Sequence, residues 1–397
     1  MASINDRDAP KVHLYAEHLQ NIRTLSIQAS LATVSNAETK ATLSADHDYL
    51  SLEHEGESVT IRLPISLGSH NDATLTIPAA PTKDLSFRLN IEEKSGQSSL
   101  LGRGAPESEN VIPWMASELT SDTAVSCSAC QAEIVHRGRI RQWKDLPSEG
   151  WAEMMDFWHC HKPDEPHDHT GEAANASRGF ASNSKLIALE TVGLVGPMDF
   201  LLSTTDCTNL ETSTSLSPSV LVCTGCKTCI GVFDSSTQGN KLRKSALSLS
   251  TSSSLQIMRL PLEKWLSSAL LTAAESQGVR RLVVYAASAE SGPAQHVMRL
   301  WIFAADLTVS SSAADSPEAT RVVKVLHRDG ASADVAKSGS MGSSEGELEL
   351  SQAEWHELRG LLDKSAGLLP EKARSFQQWS VALLKRFVQE DIESHDS

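Results

Sequence analysis

Two cysteine pairs constrain the fold of this chain more than any other feature of its sequence. Cys127 and Cys130 form one C-x-x-C motif, and Cys223 and Cys226 form a second. Each motif can turn two sulfurs toward one ion, and four thiolates complete the tetrahedral ligand set of a structural zinc site. We therefore predict a structural Zn²⁺ site at these residues, although the insert 131–222 is much longer than that of a compact zinc ribbon. Scattered buried free thiols are the alternative.

Composition indicates the compartment and excludes several partners. The seven cysteines are an odd number, and the polar first eight residues contain no apolar stretch of a secretion signal, so we expect reduced thiols in the cytoplasm or nucleus. No run of about 18 apolar residues predicts a membrane span. The formal net charge of −15 argues against direct nucleic-acid binding and suits basic protein partners. The sequence contains neither the P-loop motif of nucleotide phosphate binding nor the glycine-rich motif of dinucleotide binding. It also lacks the G-x-S-x-G motif of serine hydrolases and the H-E-x-x-H motif of zinc proteases.

The first hundred residues are typical of β-structure. In residues 59–63 and 85–91 apolar side chains alternate with polar ones, which is the period of half-buried strands. The segments 68–72 and 81–84 between them supply turn residues. This pattern predicts an antiparallel, sandwich-like sheet.

The C-terminal part mixes helical and strand patterns. Apolar residues from Leu262 to Ala273 fall on one helical face after Pro261, and three strands are predicted at 281–287, 297–303 and 321–327. Two helices should follow. In the last of them, spacings of three, four and four residues put a stripe of aromatic and apolar side chains on one face: Phe376, Trp379, Leu383 and Phe387.

These patterns predict an α+β, β-rich fold in three parts. Residues 1–120 form an N-terminal β-rich region with a sandwich-like sheet. Residues 121–235 form a central zinc-knuckle region, and residues 236–397 form a C-terminal region of mixed strands and helices.

The chemical role of Cys160 and His161 has more than one interpretation from the sequence. They follow residues 151–158, whose apolar spacing predicts a helix. The negative end of that helix dipole would raise the pKa of the Cys160 thiol, and His161 would offset this only if protonated or hydrogen-bonded to the sulfur. Three roles stay open for Cys160: a zinc ligand with His161 as the alternative donor, a buried packing thiol, or a nucleophile that accepts a thioester.

Several motifs together resemble one family. Residues 146–153 (Leu-Pro-Ser-Glu-x-Trp-x-Glu) and 158–161 (Trp-x-Cys-His) resemble the signature of the eukaryotic HECT-like E3 ubiquitin ligases, also called ubiquitin-conjugating enzyme E2-binding proteins. Further similar segments lie at 15–23, 222–231, 300–303, 324–326, 368–370 and 379–384. The resemblance thus extends over nearly the whole chain, and the low-complexity inserts suggest a fungal-type member.

The resemblance implies both an activity and partners. It implies binding to a ubiquitin-conjugating enzyme, particularly one that acts on cyclin B, and ubiquitin transfer through a thioester, for which Cys160 is the candidate catalytic residue. Family members are also linked to the endonuclease subunit of the mRNA 3′-end cleavage and polyadenylation machinery. A non-catalytic, zinc-stabilised adaptor or chaperone for that subunit is therefore the alternative function.

One departure from true HECT domains is visible in the sequence. Such domains carry the catalytic cysteine near the C-terminus, whereas the last cysteine here is Cys229. Outside the two C-x-x-C motifs, the chain has only Cys160, Cys207 and Cys229 to offer for transthiolation.

Overall fold

The N-terminal segment consists of short, mostly antiparallel strands. The computed structural model describes residues 11–67, 75–91, 110–146, 186–213, 219–252, 257–286, 296–331, 334 and 344–393. The first six strands are β1 (Val12–Leu19), β2 (Thr24–Leu31), β3 (Lys40–Leu43), β4 (Tyr49–His54), β5 (Glu57–Arg62) and β6 (Asp84–Asn90). The two strands that alternation predicts at 59–63 and 85–91 are confirmed as β5 and β6, because each buries one face and exposes the other.

The central segment contributes ten further strands. They are β7 (Ala124–Cys127), β8 (Glu133–Val135), β9 (Gln142–Asp145), β10 (Val192–Val195), β11 (Asp199–Ser203), β12 (Leu210–Thr212), β13 (Val220–Cys223), β14 (Cys229–Asp234), β15 (Gly239–Arg243) and β16 (Leu247–Ser250). All are six residues or shorter, and tight turns connect several of them.

The C-terminal segment carries the longest strands and the helices. The strands are β17 (Arg281–Ala286), β18 (Val297–Ser311), β19 (Thr320–Asp329), β20 (Glu345–Leu350), β21 (Ser375–Phe376) and β22 (Trp379–Lys385). The helices are α1 (Leu262–Ser276), α2 (Gln352–Ser365) and α3 (Glu390–Glu393). Helix α1 is confirmed where the apolar face predicts it, and it begins directly after Pro261. The three predicted strands are confirmed as β17, β18 and β19.

Four sheets organise these strands. A nine-stranded sheet runs in the order β21-β22-β19-β18-β1-β2-β6, with β17 paired to β18 and β20 paired to β17. A seven-stranded sheet runs β12-β13-β14-β15-β11-β10-β9, and two three-stranded sheets run β16-β7-β8 and β3-β4-β5. Nearly all pairs are antiparallel; β9 with β10 and β17 with β20 are parallel. The β-rich class with few helices and antiparallel sheets is thus confirmed.

The nine-stranded sheet joins the two ends of the chain. Strand β1 pairs with β18, so that Tyr15 lies opposite Ser311. A buried cluster joins β1, β2 and β6 to β4 and β5, and its members include Leu14, Ile27 and Leu52, each exposed by 1% or less. Burial of a side chain of this size contributes about 1.5–3 kcal/mol.

Contacts within the chain define two compact units. One consists of residues 1–111 with 266–394, and the other consists mainly of residues 112–265. The division at 120 and 235 that the sequence suggests stays a prediction. None of the helices that the structure describes is long and apolar enough to span a bilayer.

The predicted last helix is wrong. Phe376 lies in β21, and Trp379 and Leu383 lie in β22, a strand that pairs with β19. Residues 381–384 are buried in succession, because Val381 and Leu383 join one core cluster while their neighbours point to the opposite face. A strand covered on both faces has a continuous apolar run, which mimics the stripe of a helix.

Candidate metal centre

The four cysteines of the two C-x-x-C motifs meet at one point. All four sulfurs lie within 4.8 Å of one another. The Sγ atoms of Cys127 and Cys226 are 3.6 Å apart, and those of Cys130 and Cys223 are 3.5 Å apart. Four sulfurs around a zinc ion at about 2.3 Å are separated by about 3.8 Å. The spacing therefore fits a metal site and exceeds the disulfide S–S length of about 2.05 Å, so these cysteines are free.

The two motifs form the same turn. In each, the carbonyl of the first cysteine accepts a hydrogen bond of 2.9 Å from the backbone N–H four residues on, which belongs to Gln131 in one motif and Lys227 in the other. These two residues have matching left-handed φ angles of 63° and 60°. The N–H of each first cysteine also donates to the carbonyl five residues on, at 2.9 Å in both motifs. The backbone therefore gives both sulfur pairs the same local geometry.

The centre connects two sheets within the unit of residues 112–265. Cys127 ends β7 of a three-stranded sheet, and Cys223 ends β13 of the seven-stranded sheet. Both of these cysteines are fully buried, whereas Cys130 and Cys226 are exposed. Four protein ligands fill a tetrahedral site, so the arrangement is typical of a structural centre and leaves no open position for a substrate.

The environments of the sulfurs differ in polarity. Burial raises the pKa of the Cys127 thiol to about 12. Hydrogen bonds with the side chain and backbone of Thr228 lower the pKa of the Cys226 thiol to about 6, and the Cys226 sulfur lies 3.1 Å from Thr228 Oγ1. Sequence reasoning does not single out Thr228, although a hydroxyl two residues after a C-x-x-C motif is a recognisable signal. Four thiolates this close repel one another, so full deprotonation of the set requires a cation.

The other predicted site residues have different outcomes. Cys160 and its alternative-ligand neighbour His161 lie outside the described residues, as does the helix expected at 151–158. Cys207 is half-buried, and burial raises the pKa of its thiol to about 11. Cys229 is half-buried in β14, with Arg243 Nη2 at 2.8 Å from its sulfur. In the described part of the chain, the C-x-x-C cysteines are the one group of three or more His, Cys, Asp or Glu side chains close enough to hold a metal together.

Metal affinity at this centre is expected to rise with pH. Because the pKa of Cys127 is raised, its thiol is protonated in the metal-free protein at neutral pH, and the metal must displace that proton. Cys226, with a pKa of about 6, is already a thiolate there and competes with protons only in more acidic solution. The apparent affinity should therefore increase at least about tenfold per pH unit around neutrality. Competition with a chromophoric chelator measures this slope, and a pH-independent affinity would contradict it.

Comparisons with known proteins agree with the resemblance seen in the sequence. Two relatives are an uncharacterized protein of Saccharomyces cerevisiae, 25% identical over 341 residues that cover 84% of this chain and 89% of the relative, and an uncharacterized protein of Schizosaccharomyces pombe, 25% identical over 291 residues that cover 70% and 78%. No solved structure shows a significant match to the chain. The model of the family described as HECT-like ubiquitin-conjugating enzyme (E2)-binding matches residues 17–381. Because this match covers most of the sequence, the chain belongs to that family.

Proposed function

We propose that this protein binds a ubiquitin-conjugating enzyme and acts as an E3 ubiquitin ligase that accepts ubiquitin before passing it to a substrate. Membership of an E2-binding family over residues 17–381 is the observation that carries the proposal. An E2 that acts on cyclin B is the partner that the resemblance suggests.

We also propose that the metal is Zn²⁺ and that its role is structural. The ligand set is four cysteine sulfurs, which select soft or borderline metals and are typical of closed zinc sites. When bound, the ion supplies a rigid cross-link between the two motifs. The seven-stranded and three-stranded sheets that end at Cys223 and Cys127 would then hold a fixed geometry during partner binding.

Cys160 is the proposed acceptor. In transthiolation its thiolate attacks the carbonyl carbon of the E2–ubiquitin thioester, a new thioester forms on Cys160, and the E2 leaves as a thiolate. Four of the other cysteines cluster at the candidate metal centre. Cys207 is poorly suited, because burial raises its pKa to about 11 and keeps it protonated at neutral pH.

Incubation with a ubiquitin-charged E2 should produce a ubiquitin adduct on this protein that disappears on reduction. The adduct should fall to background in Cys160→Ala, because that variant has lost the proposed nucleophile, and should persist in Cys207→Ala as the matched thiol control. Non-reducing and reducing gels measure it. Metal content and melting temperature must match the wild type for the result to count, and an adduct that survives in Cys160→Ala would overturn the assignment.

A second candidate is an adaptor or chaperone without thioester chemistry, with the mRNA 3′-end endonuclease subunit as its client. Two described thiols lie outside the metal centre, those of Cys207 and Cys229, and both are half-buried. A half-buried thiol is poorly accessible to an E2 thioester, which favours a role without thioester chemistry. The same assay separates the two functions. Stable E2 binding with no adduct, from folded and metal-loaded protein, would favour the adaptor.

A further inference from the structure

Arginine and tryptophan side chains contact one another across four strands of the nine-stranded sheet. Arg281 on β17 lies opposite Trp301 on β18, and its guanidinium carbon is 5.0 Å from the centre of the Trp301 ring. The Trp301 ring is 6.3 Å from that of Trp379 on β22, at an interplanar angle of 70°. Arg328 on β19 stacks over Trp379 at 4.5 Å. The contacts therefore run from Arg281 through the rings of Trp301 and Trp379 to Arg328, so that two neighbouring rings lie between two cations.

Two exposed phenylalanines extend this set of contacts. Phe303 is 50% exposed, and its ring is 5.7 Å from that of Trp301. It lies where the β18–β19 register shifts between Ile302 and Ala304, and such bulges re-aim a side chain out of the regular pleat. Phe376 is 47% exposed and lies opposite Trp379 in the β21–β22 hairpin. We call these six residues the Arg–Trp surface: Arg281, Trp301, Phe303, Arg328, Phe376 and Trp379.

The two arginines of this surface differ from their neighbours. Arg299 pairs with Glu345, and Arg359 pairs with Asp329 at 2.5 Å. Among the described residues, neither Arg281 nor Arg328 forms an ion pair with a carboxylate. A guanidinium that stacks on an indole ring keeps its planar N–H edge available for a bidentate carboxylate contact. Within the described part of the chain, the surface therefore presents two guanidinium groups without a carboxylate partner, beside apolar rings.

We propose that the Arg–Trp surface docks an acidic linear segment of a protein partner, with leucine or aromatic side chains between its carboxylates. Charge complementarity argues for this occupant, because the carboxylates would meet Arg281 and Arg328 while the apolar side chains cover Phe303 and Phe376. Tryptophan and arginine are also the residues that most often dominate binding energy at protein interfaces. Two arginines form too short a positive field for a nucleic-acid backbone, and on a chain with a net charge of −15 they limit the occupant to a short acidic segment. The inference uses neither Cys160 nor the metal centre, so it goes beyond the proposed ligase function.

The test compares two charge-matched double variants of the full chain. The first, Arg281→Gln with Arg328→Gln, removes both guanidinium groups of the surface. The control, Arg88→Gln with Arg259→Gln, removes two exposed arginines elsewhere. The probes are a fluorescein-labelled peptide that alternates Glu with Leu and Phe, the same peptide with Gln for every Glu, and labelled oligouridine. Fluorescence anisotropy measures binding, and thermal melting verifies that each variant is folded.

The proposal expects the Glu peptide to bind the wild type and to lose at least about tenfold in affinity in the first variant, while the control variant retains its affinity. Phe303→Ser should weaken binding without changing the charge. Equal binding of the Gln peptide, an equal loss in both double variants, binding of oligouridine in place of the Glu peptide, or no binding of any probe would each overturn it. Ubiquitin transfer from the E2 is measured on the same preparations. Transfer without peptide binding would overturn only the docking proposal, and peptide binding without transfer would overturn only the proposed ligase function.

Discussion

A Cys223→Ser variant is expected to lose its metal ion and to destabilise the unit of residues 112–265. Cys223 is fully buried, and its sulfur lies 3.5 Å from that of Cys130. A serine hydroxyl is a poor substitute for a thiolate ligand, so the cross-link between β7 and β13 is lost. Loss of a structural metal is among the largest single-residue effects, and we expect destabilisation on the order of 4 kcal/mol. Elemental analysis and thermal unfolding measure the two effects.

Cys207→Ser is the matched control for this prediction. It makes the same atomic change at a half-buried thiol outside the metal centre. We expect full metal content and a loss of stability below about 2 kcal/mol, typical of a single polar substitution. If Cys223→Ser retained its metal, or if both variants lost equal stability, the four cysteines would not act as one ligand set.

Gly231→Ala is expected to destabilise the same unit through the backbone rather than the metal. A Cβ at Gly231 on β14 would lie 2.0 Å from the carbonyl oxygen of Lys241 on the neighbouring strand β15, far inside contact distance. Strand β14 lies between β13 and β15, so it has no free side toward which to move. Overpacking of this kind costs about 3 kcal/mol. Urea unfolding and hydrogen exchange of the β14 and β15 amides measure the loss.

The same substitution at Gly360 should act in the opposite direction. Gly360 lies within helix α2, and a Cβ there would have no neighbour within 4 Å. Alanine is the better helix former, by up to about 1 kcal/mol, so Gly360→Ala should be neutral or stabilising. Unchanged stability in Gly231→Ala would mean that β14 and β15 are not held as tightly as their backbone contact indicates.

Local signals explain the parts of this structure that could be predicted from its sequence. The convergence of Cys127, Cys130, Cys223 and Cys226 follows from ligand chemistry and from a turn whose hydrogen bonds lie within each motif. Strands β5 and β6 are half-buried, so their alternation is visible in the sequence. Helix α1 has a proline directly before its first residue and one apolar face.

Long-range contacts explain what could not be predicted. Strand β22 is covered on both faces, and its burial pattern depends on β19 and on a core cluster assembled from distant segments. The register between Tyr15 and Ser311 joins strands almost three hundred residues apart, which no local pattern encodes. The Arg–Trp surface is likewise formed by four pairings between separate strands. Local spacing alone therefore predicts a helix at Phe376 and Trp379, where the structure has two strands.

The parallel pairing of β9 with β10 affects how this family can vary in length. Val192 lies opposite Gln142 and Val195 opposite Asp145, so the chain between them must return along the strands before it can pair again. Such a crossover needs about a dozen residues, and beyond that minimum each doubling of its length costs only about 0.6 kcal/mol in closure entropy. Added length in this connection is therefore expected to cost little folding free energy, provided that the signature residues 146–161 and the buried Ala188 are kept. Alignments of relatives should be anchored on the two flanking strands rather than on residue counts across this connection.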